Sequence, residues 1–338
     1  MITTKTTNSL LAATAIALVA PGAMAQEYVA KIGHLESTQQ SRHVHLEKVA
    51  QIVSEETDGN VEFQIFPQSQ LGNQRQMTEG VQLGTIEATV APAAFLGGFN
   101  SAVSIMDIPY LLPNDPEQAE ALREGEFGQA LLDTFDDKGV VAIGIWPNGR
   151  KSFTSNKPLA DISDFEGQKF RVMDSKILIE QFNALGASAI ALPFGELYTS
   201  LQTGIVDGEE NPLDTIKSMN FYEVQDYLVV SDHGAMEDII LFNPTWWGNL
   251  PEEYQTVITE AFQSVVPELT AHKAAAVEDA LKTIEESGID VRVASEEERA
   301  DFREKMFDPA AAAYKEMAGD TGAELLEIYQ AQYDEVSQ

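Results

Sequence analysis

The chain of 338 residues contains no cysteine. Disulfides, thiol nucleophiles and cysteine-ligated metals are therefore excluded, and the fold rests on its core alone. Cations are scarce: 21 Lys and Arg stand against 54 Asp and Glu, a formal net charge of -33. A field of that sign repels polyanions, so no nucleic-acid partner is expected, and an anionic ligand would need a locally positive pocket. Only five histidines occur, and His43 and His45 are the one close pair. Residues two apart on a helix do not share a face, and H-E-x-x-H is missing, so neither a metal nor a cofactor is expected. The nucleophile elbow G-x-S-x-G, the P-loop pattern and G-x-G-x-x-G are missing as well. After the first 25 residues no stretch approaches the roughly 18 consecutive apolar residues of a membrane span.

What is present begins with an export signal. Met1–Ser9 is polar with one cation, Lys5, and Leu10–Ala20 (LLAATAIALVA) is an unbroken apolar run too short to span a bilayer. Pro21 and Gly22 break it, and Ala23-Met24-Ala25 is an A-x-A cleavage pattern. Residues 1–25 are therefore predicted to be a signal peptide cleaved near Ala25/Gln26. The remaining chain, about 310 residues, is long enough for two domains.

Strand and helix signals alternate along that remainder. Tyr28–Gly33 reads as a strand, Arg42–Glu55 as a helix, and Val61–Phe66 (VEFQIF) alternates apolar and polar. Gly139–Trp146 (GVVAIGIW) is nearly continuously apolar, as a strand buried on both faces would be. Further strand signals fall at Lys169–Val172, Ala189–Leu192, Tyr227–Val230 and Asp238–Asn243. The pattern predicts an α/β architecture with helix-covered sheets. Pro251–Glu286 reads as one long helix with Pro267 as a kink, ended by Ser287-Gly288. Val81–Pro92 and Leu201–Pro212 echo each other, each with a helix end, a glycine, a strand start and a closing proline. Two readings stay open: one unit used once in each of two lobes, or coincidence between common helix-to-strand turns.

The most specific stretches are Trp146–Pro158 (WPNGRKSFTSNKP), Gly167–Val172 (GQKFRV) and Leu192–Pro212 (LPFGELYTSLQTGIVDGEENP). In order and nearly in spacing they resemble the binding lobe of TRAP-transporter solute receptors, the DctP-like family. The resemblance implies a periplasmic-binding-protein-like fold of two α/β lobes, a ligand cleft between them and a long helix crossing both. It puts residues 26–148 and 237–275 in one lobe and 149–236 and 276–338 in the other. It implies a monomeric periplasmic receptor, not an enzyme, that passes a small organic acid to TRAP membrane subunits. A hydroxy or keto acid, a dicarboxylate, a sugar acid or a sulfonate would each satisfy it.

The same resemblance assigns site residues. Arg171 would clamp the ligand carboxylate, a task suited to a planar, bidentate guanidinium. Asn211 would be the second carboxylate contact and Phe194 a pocket aromatic. Residues alone leave Arg171 as a surface charge, Asn211 as a turn residue before proline and Phe194 as core. The chain departs from the family at two places. Where many members carry a second arginine, alignment on Thr154-Ser155-Asn156 puts Lys151, with Arg150 one step earlier; alternation along a strand lets only one enter the cleft. Pro92 stands where sialic-acid-binding members have glutamate, which argues against that ligand. Trp146, Trp247, Leu35 and Glu36 are further candidates for the pocket wall. Two other roles keep a place beside transport: a ligand sensor for a signalling partner, or a secreted carboxylate-based hydrolase.

Overall fold

The structure, a computed structural model, describes residues 27–337. The signal-peptide segment lies outside the described residues. The first unit is β1 (Tyr28–Gly33), α1 (Ser41–Glu56), β2 (Val61–Phe66), α2 (Gln74–Leu83) and β3 (Ala88–Pro92). Its strands are parallel in the order β2-β1-β3. Leu46, Val49 and Val53 bury one face of α1 against the sheet. A reciprocal capping box, Asn73 with Gln76, starts α2, and Gly84 in the left-handed region (φ 76°) ends it.

Two helices, α3 (Pro116–Glu124) and α4 (Glu126–Asp133), precede β4 (Val141–Ser155). The sequence ended this strand at Trp146; it runs nine residues further, through Pro147 and Gly149. Register shifts at Ala142/Gly144 and Pro147/Gly149 accommodate them. A bulge tolerates a proline that lacks a ladder donor, so Pro147 bends β4 without ending it. The strand thereby passes from one sheet into the next.

The second unit repeats the first: β5 (Lys169–Val172), α5 (Lys176–Ala184), β6 (Ser188–Ala191), α6 (Leu197–Gln202) and β7 (Gly208–Pro212). Its strands are parallel in the order β6-β5-β7. The sequence echo corresponds to a shared geometry. Gly204 (φ 69°) matches Gly84, and the Ile205 N–H to Ser200 carbonyl bond matches that of Thr85 to Gly80, each 2.9 Å. Each unit gains a fourth, antiparallel strand from the crossing segment. After α7 (Leu213–Ser218) and β8 (Tyr227–Val230), β9 (Ala235–Phe242) runs between β3 and the first part of β4, while the end of β4 pairs with β7 and β8.

The chain closes with α8 (Pro244–Gly248), α9 (Glu252–Ser264), α10 (Val266–Ser287), β10 (Asp290–Val293) and α11 (Glu296–Val336). The single helix expected over 251–286 is thus two. They break at Val265, and Pro267 sits in the first turn of α10, where its missing N–H costs nothing. The crossing helix is α10. Val266 and Leu269 join Trp146 in the core of the first unit, and Ala280 and Ile284 pack with Ile216, Phe221 and Leu228. Residues 310–336, placed with the second lobe by the sequence, reach back to the first. Tyr314 donates to the Ala102 carbonyl at 3.0 Å, and Gln332 bonds the Ala121 carbonyl and the Phe127 N–H. The non-helical backbone of Gly319 (φ 58°) lets α11 change direction on the way.

Candidate functional site

In both units the C-terminal ends of the parallel strands face a common cleft, where α/β sheets bind ligands. Between them lies a pocket of about 180 Å3 lined from the first unit by Leu35, Gln74 and Phe95 and from the second by Asp174, Leu192 and Phe194.

Arg171 is the third residue of β5, beside Ile190 of β6 and Glu209 of β7. Its Nε and Nη2 both donate to the Leu192 carbonyl, at 3.0 and 2.8 Å, and its guanidinium carbon lies 5.8 Å from the centre of the Phe95 ring. The side chain is 1% exposed, yet among the described residues no carboxylate lies within the 4.0 Å of an ion pair. Burial pulls its pKa down to about 10, against the charges of Glu209 and Glu210. Other buried arginines are neutralised by contact: Arg42 holds Asp238 with two bonds of 2.7 and 2.6 Å, and Arg123 meets Glu237 at 3.4 Å. Arg171 is instead fixed by a backbone carbonyl while its charge stays without a contacting counter-ion.

Glu209 and Asn211 are two apart on β7 and share a face. Asn211 donates its amide to Glu209 Oε2, and Thr154 donates to Oε1 at 2.9 Å. Burial pushes Glu209 up to about 7 against these hydrogen bonds and Arg171. Burial thus works against the negative charge of the carboxylate that pairs with Arg171 in the sheet register.

Glu210 alternates to the other face and holds a separate buried cluster. It accepts from Lys151 at 2.8 Å, from Gln181 at 2.6 Å and from His233 Nε2 at 2.8 Å. Burial alone would raise this carboxyl; Lys151 and His233 overcome it and hold the group at about 2. The imidazole lies flat on Phe153 with 3.8 Å between ring centres, and its Nδ1 is 2.7 Å from Ser231 Oγ. A neutral ring protonated at Nε2 satisfies both bonds, in accord with a pKa lowered by burial.

The remaining sequence candidates separate. Phe194 lines the pocket and packs edge-on against Phe221 at 6.0 Å. Glu36, just past β1, is buried 3.2 Å from Arg42, with neither carboxylate oxygen hydrogen-bonded among the described residues. Arg150, Lys151, Asn211 and Arg171 are not among the residues lining this pocket; Arg171 joins its wall through the Leu192 carbonyl and the Phe95 ring. Arg150 turns away to the Leu112 and Pro113 carbonyls, because its neighbour in the alternating strand takes the Glu210 face. Trp247 packs on Phe242 outside this pocket, and Trp146 is not a wall of it either. Its indole N–H is spent on the Phe262 carbonyl at 2.9 Å, and its ring packs on Phe262 in the core of the first unit. Trp146→Phe should therefore cost about 1–3 kcal/mol of stability, from the lost hydrogen bond and the space left behind, with ligand affinity unchanged. Paired urea melts and binding titrations check this; a changed affinity at unchanged stability would return Trp146 to the site.

Sequence reasoning missed Gln74 and Phe95. Gln74 opens α2 inside the pocket; its amide nitrogen donates to Thr89 at 3.1 Å, and its buried Oε1 has no partner among the described residues. The signal was there in the capping box around it, which fixes a strand-to-helix turn at the cleft.

Two repeated α/β units, strand ends facing across a pocket and joined by crossing strands, define a two-lobed solute receptor. The model of the bacterial extracellular solute-binding protein family 7, DctP, matches residues 32–318, and the chain belongs to that family. A TRAP periplasmic solute-binding protein from Desulfovibrio salexigens, solved with bound orotic acid, is 62% identical, with a TM-score of 0.91 over 91% of this chain and 99% of that one. The sugar-acid-binding protein DctPAm from Advenella mimigardefordensis, in complex with galactonate, is 30% identical, with a TM-score of 0.84 over 91% and 99% of the two chains. The C4-dicarboxylate-binding periplasmic protein DctP of Rhodobacter capsulatus is 30% identical over 334 residues, covering 98% of this chain and 99% of that one. The chain is thus an extracytoplasmic solute receptor of the TRAP class, which delivers small organic acids to membrane subunits. No helix among the described residues is long and apolar enough to cross a membrane.

Proposed function

We propose that this receptor captures a planar heterocyclic carboxylate of the orotate type and acts in delivery, not catalysis. The observation that carries the reading is Arg171, a buried guanidinium with no carboxylate in contact among the described residues. A ligand carboxylate at its free edge would supply the missing charge in a site screened from water. Asn211, Lys151 and Glu36 would then act from around the cleft, Asn211 and Lys151 through the glutamates they hold and Glu36 from the first lobe.

The wall of the pocket next to Arg171 supports a ring over a flexible chain. Phe95, Phe194 and Leu35 offer apolar surface, and Gln74 Oε1 offers an acceptor to a ring N–H. The 62%-identical receptor holds orotic acid, which has both a carboxylate and ring N–H groups. We further propose export with cleavage near Ala25, a first lobe of residues 26–148 with 237–275, and a second lobe beginning at Gly149. Titration calorimetry with orotate, succinate and galactonate tests the ligand class. Orotate should bind most tightly, and Gln74→Leu should weaken orotate about tenfold while leaving succinate unchanged, the cost of an unmade hydrogen bond. Tighter binding of succinate or galactonate would overturn the heterocycle, and silence from all three would overturn the site.

A further inference from the structure

The crossing strands carry a second cavity, with charged side chains set in a mostly apolar wall, that ligand capture leaves unused. It lies over Pro147–Arg150 of β4 and Glu237 of β9, between α3 and α10, and Leu213 and Asp232 complete its wall. Its volume is about 240 Å3, and it shares no lining residue with the pocket beside Arg171.

Its charges do not cancel. Lys273 is closed by Asp214 at 2.6 Å, and Asp232 by Arg299 at 2.8 Å. That leaves Arg123 and Arg150 against one carboxylate, Glu237. Arg123 takes up Glu237 Oε1 at 3.4 Å, so the excess charge is that of Arg150, which has backbone carbonyls but no ion pair among the described residues. Glu237 is 4% exposed, and its Oε2 has no hydrogen-bond partner among the described residues. A buried carboxylate oxygen left so is costly, and an excess guanidinium beside it calls for negative charge. A ligand answering both needs must be an anion and must also donate a hydrogen bond.

We propose that this hinge cavity binds a small oxyanion carrying an O–H group, with its charged oxygens toward Arg123 and Arg150 and its hydroxyl donating to Glu237 Oε2. Hydrogen phosphate and bicarbonate share that chemistry; sulfate has the charge and size but no donor near neutral pH. The cavity wall joins α3 and the start of α10 to Leu213 and Asp232, residues of the two halves of the molecule. Occupancy therefore favours one arrangement of the lobes. By linkage, the ion changes cleft affinity by the factor through which the cleft ligand changes affinity for the ion.

The test is a titration of phosphate, bicarbonate and sulfate at constant ionic strength and pH 7.5, read by thermal shift and calorimetry. Wild type and Arg171→Ala are run side by side, so that an ion in the cleft is told from an ion at the hinge. Phosphate or bicarbonate should give a saturable rise in melting temperature, equal in the two proteins, with sulfate at least tenfold weaker; the anion saturating first is the better source. Arg150→Gln should weaken binding about tenfold. Glu237→Gln keeps an acceptor and removes the competing charge, so it should tighten binding, a change of sign that a merely structural role would not produce. Equal action by sulfate, no saturable shift in wild type, or an effect that vanishes in Arg171→Ala would each overturn the proposal. Loss of orotate binding with the phosphate response intact would instead count against the cleft reading alone.

Discussion

Replacing Arg171 by alanine should weaken orotate binding roughly 100- to 10,000-fold while the melting temperature stays within a few degrees of wild type. The first half follows from two charge-assisted hydrogen bonds to a carboxylate, each worth about 1.5–3 kcal/mol where water is excluded. The second half follows from how the side chain is held. With 1% exposure and no ion pair among the described residues, Arg171 bears a desolvation cost that folding does not recover, seen in a pKa drawn down to about 10. Its loss removes that cost along with the packing of its stem. Lysine at this position should restore little, since a point charge cannot reproduce a fork fixed by the Leu192 carbonyl. A variant that both binds weakly and melts far below wild type would mean that Arg171 is structural.

The second large effect belongs to Glu210 and is one of stability. Glu210→Ala leaves the Lys151 ammonium and the His233 and Gln181 donors facing each other in a dry core. Breaking a buried pair by removing one partner costs about 3–5 kcal/mol, a fall of roughly 5 to 15 °C. The same carboxylate governs acid resistance. Its folded pKa of about 2 lies below the ordinary 4.5, so its contribution is fully present above pH 4.5 and is lost as pH falls through 2. That contribution is roughly 3 kcal/mol, and it should appear as a loss of urea resistance confined to that window. In Glu210→Ala the slope across the window should flatten. An equally steep acid slope in the variant would assign acid sensitivity to other carboxylates.

Much of this architecture was legible because it is local. The alternation of Val61–Phe66 and Lys169–Val172, the short apolar run at Tyr227, and the Gly84 and Gly204 helix ends declare themselves within a few residues. The repeat of the two units was visible in the same way, since each needs the same glycine-ended helix before a buried strand. The length of β4 was hidden because bulges let a strand absorb Pro147 and Gly149, residues that ordinarily end one. Pro267 misled for the converse reason: a proline reads alike as a kink and as a first turn, and only the packing around Val265 separates them. Of the site, Arg171 was reached through family resemblance, for nothing local distinguishes it from a surface cation. Gln74 and Phe95 come from a different unit than Arg171 and meet it only across the cleft. Arg150 and Lys151 differ only in the parity of one bulged strand, which the sequence does not fix.

The central claim is that Arg171 recognises the carboxylate of a ring-shaped ligand. The most direct measurement is a calorimetric cycle of wild type and Arg171→Ala against orotate and uracil, which differ by that carboxylate alone. Wild type should prefer orotate by at least 100-fold, and Arg171→Ala should bind both equally weakly. If the variant keeps its preference for orotate, the carboxylate is held elsewhere and the assignment of Arg171 fails.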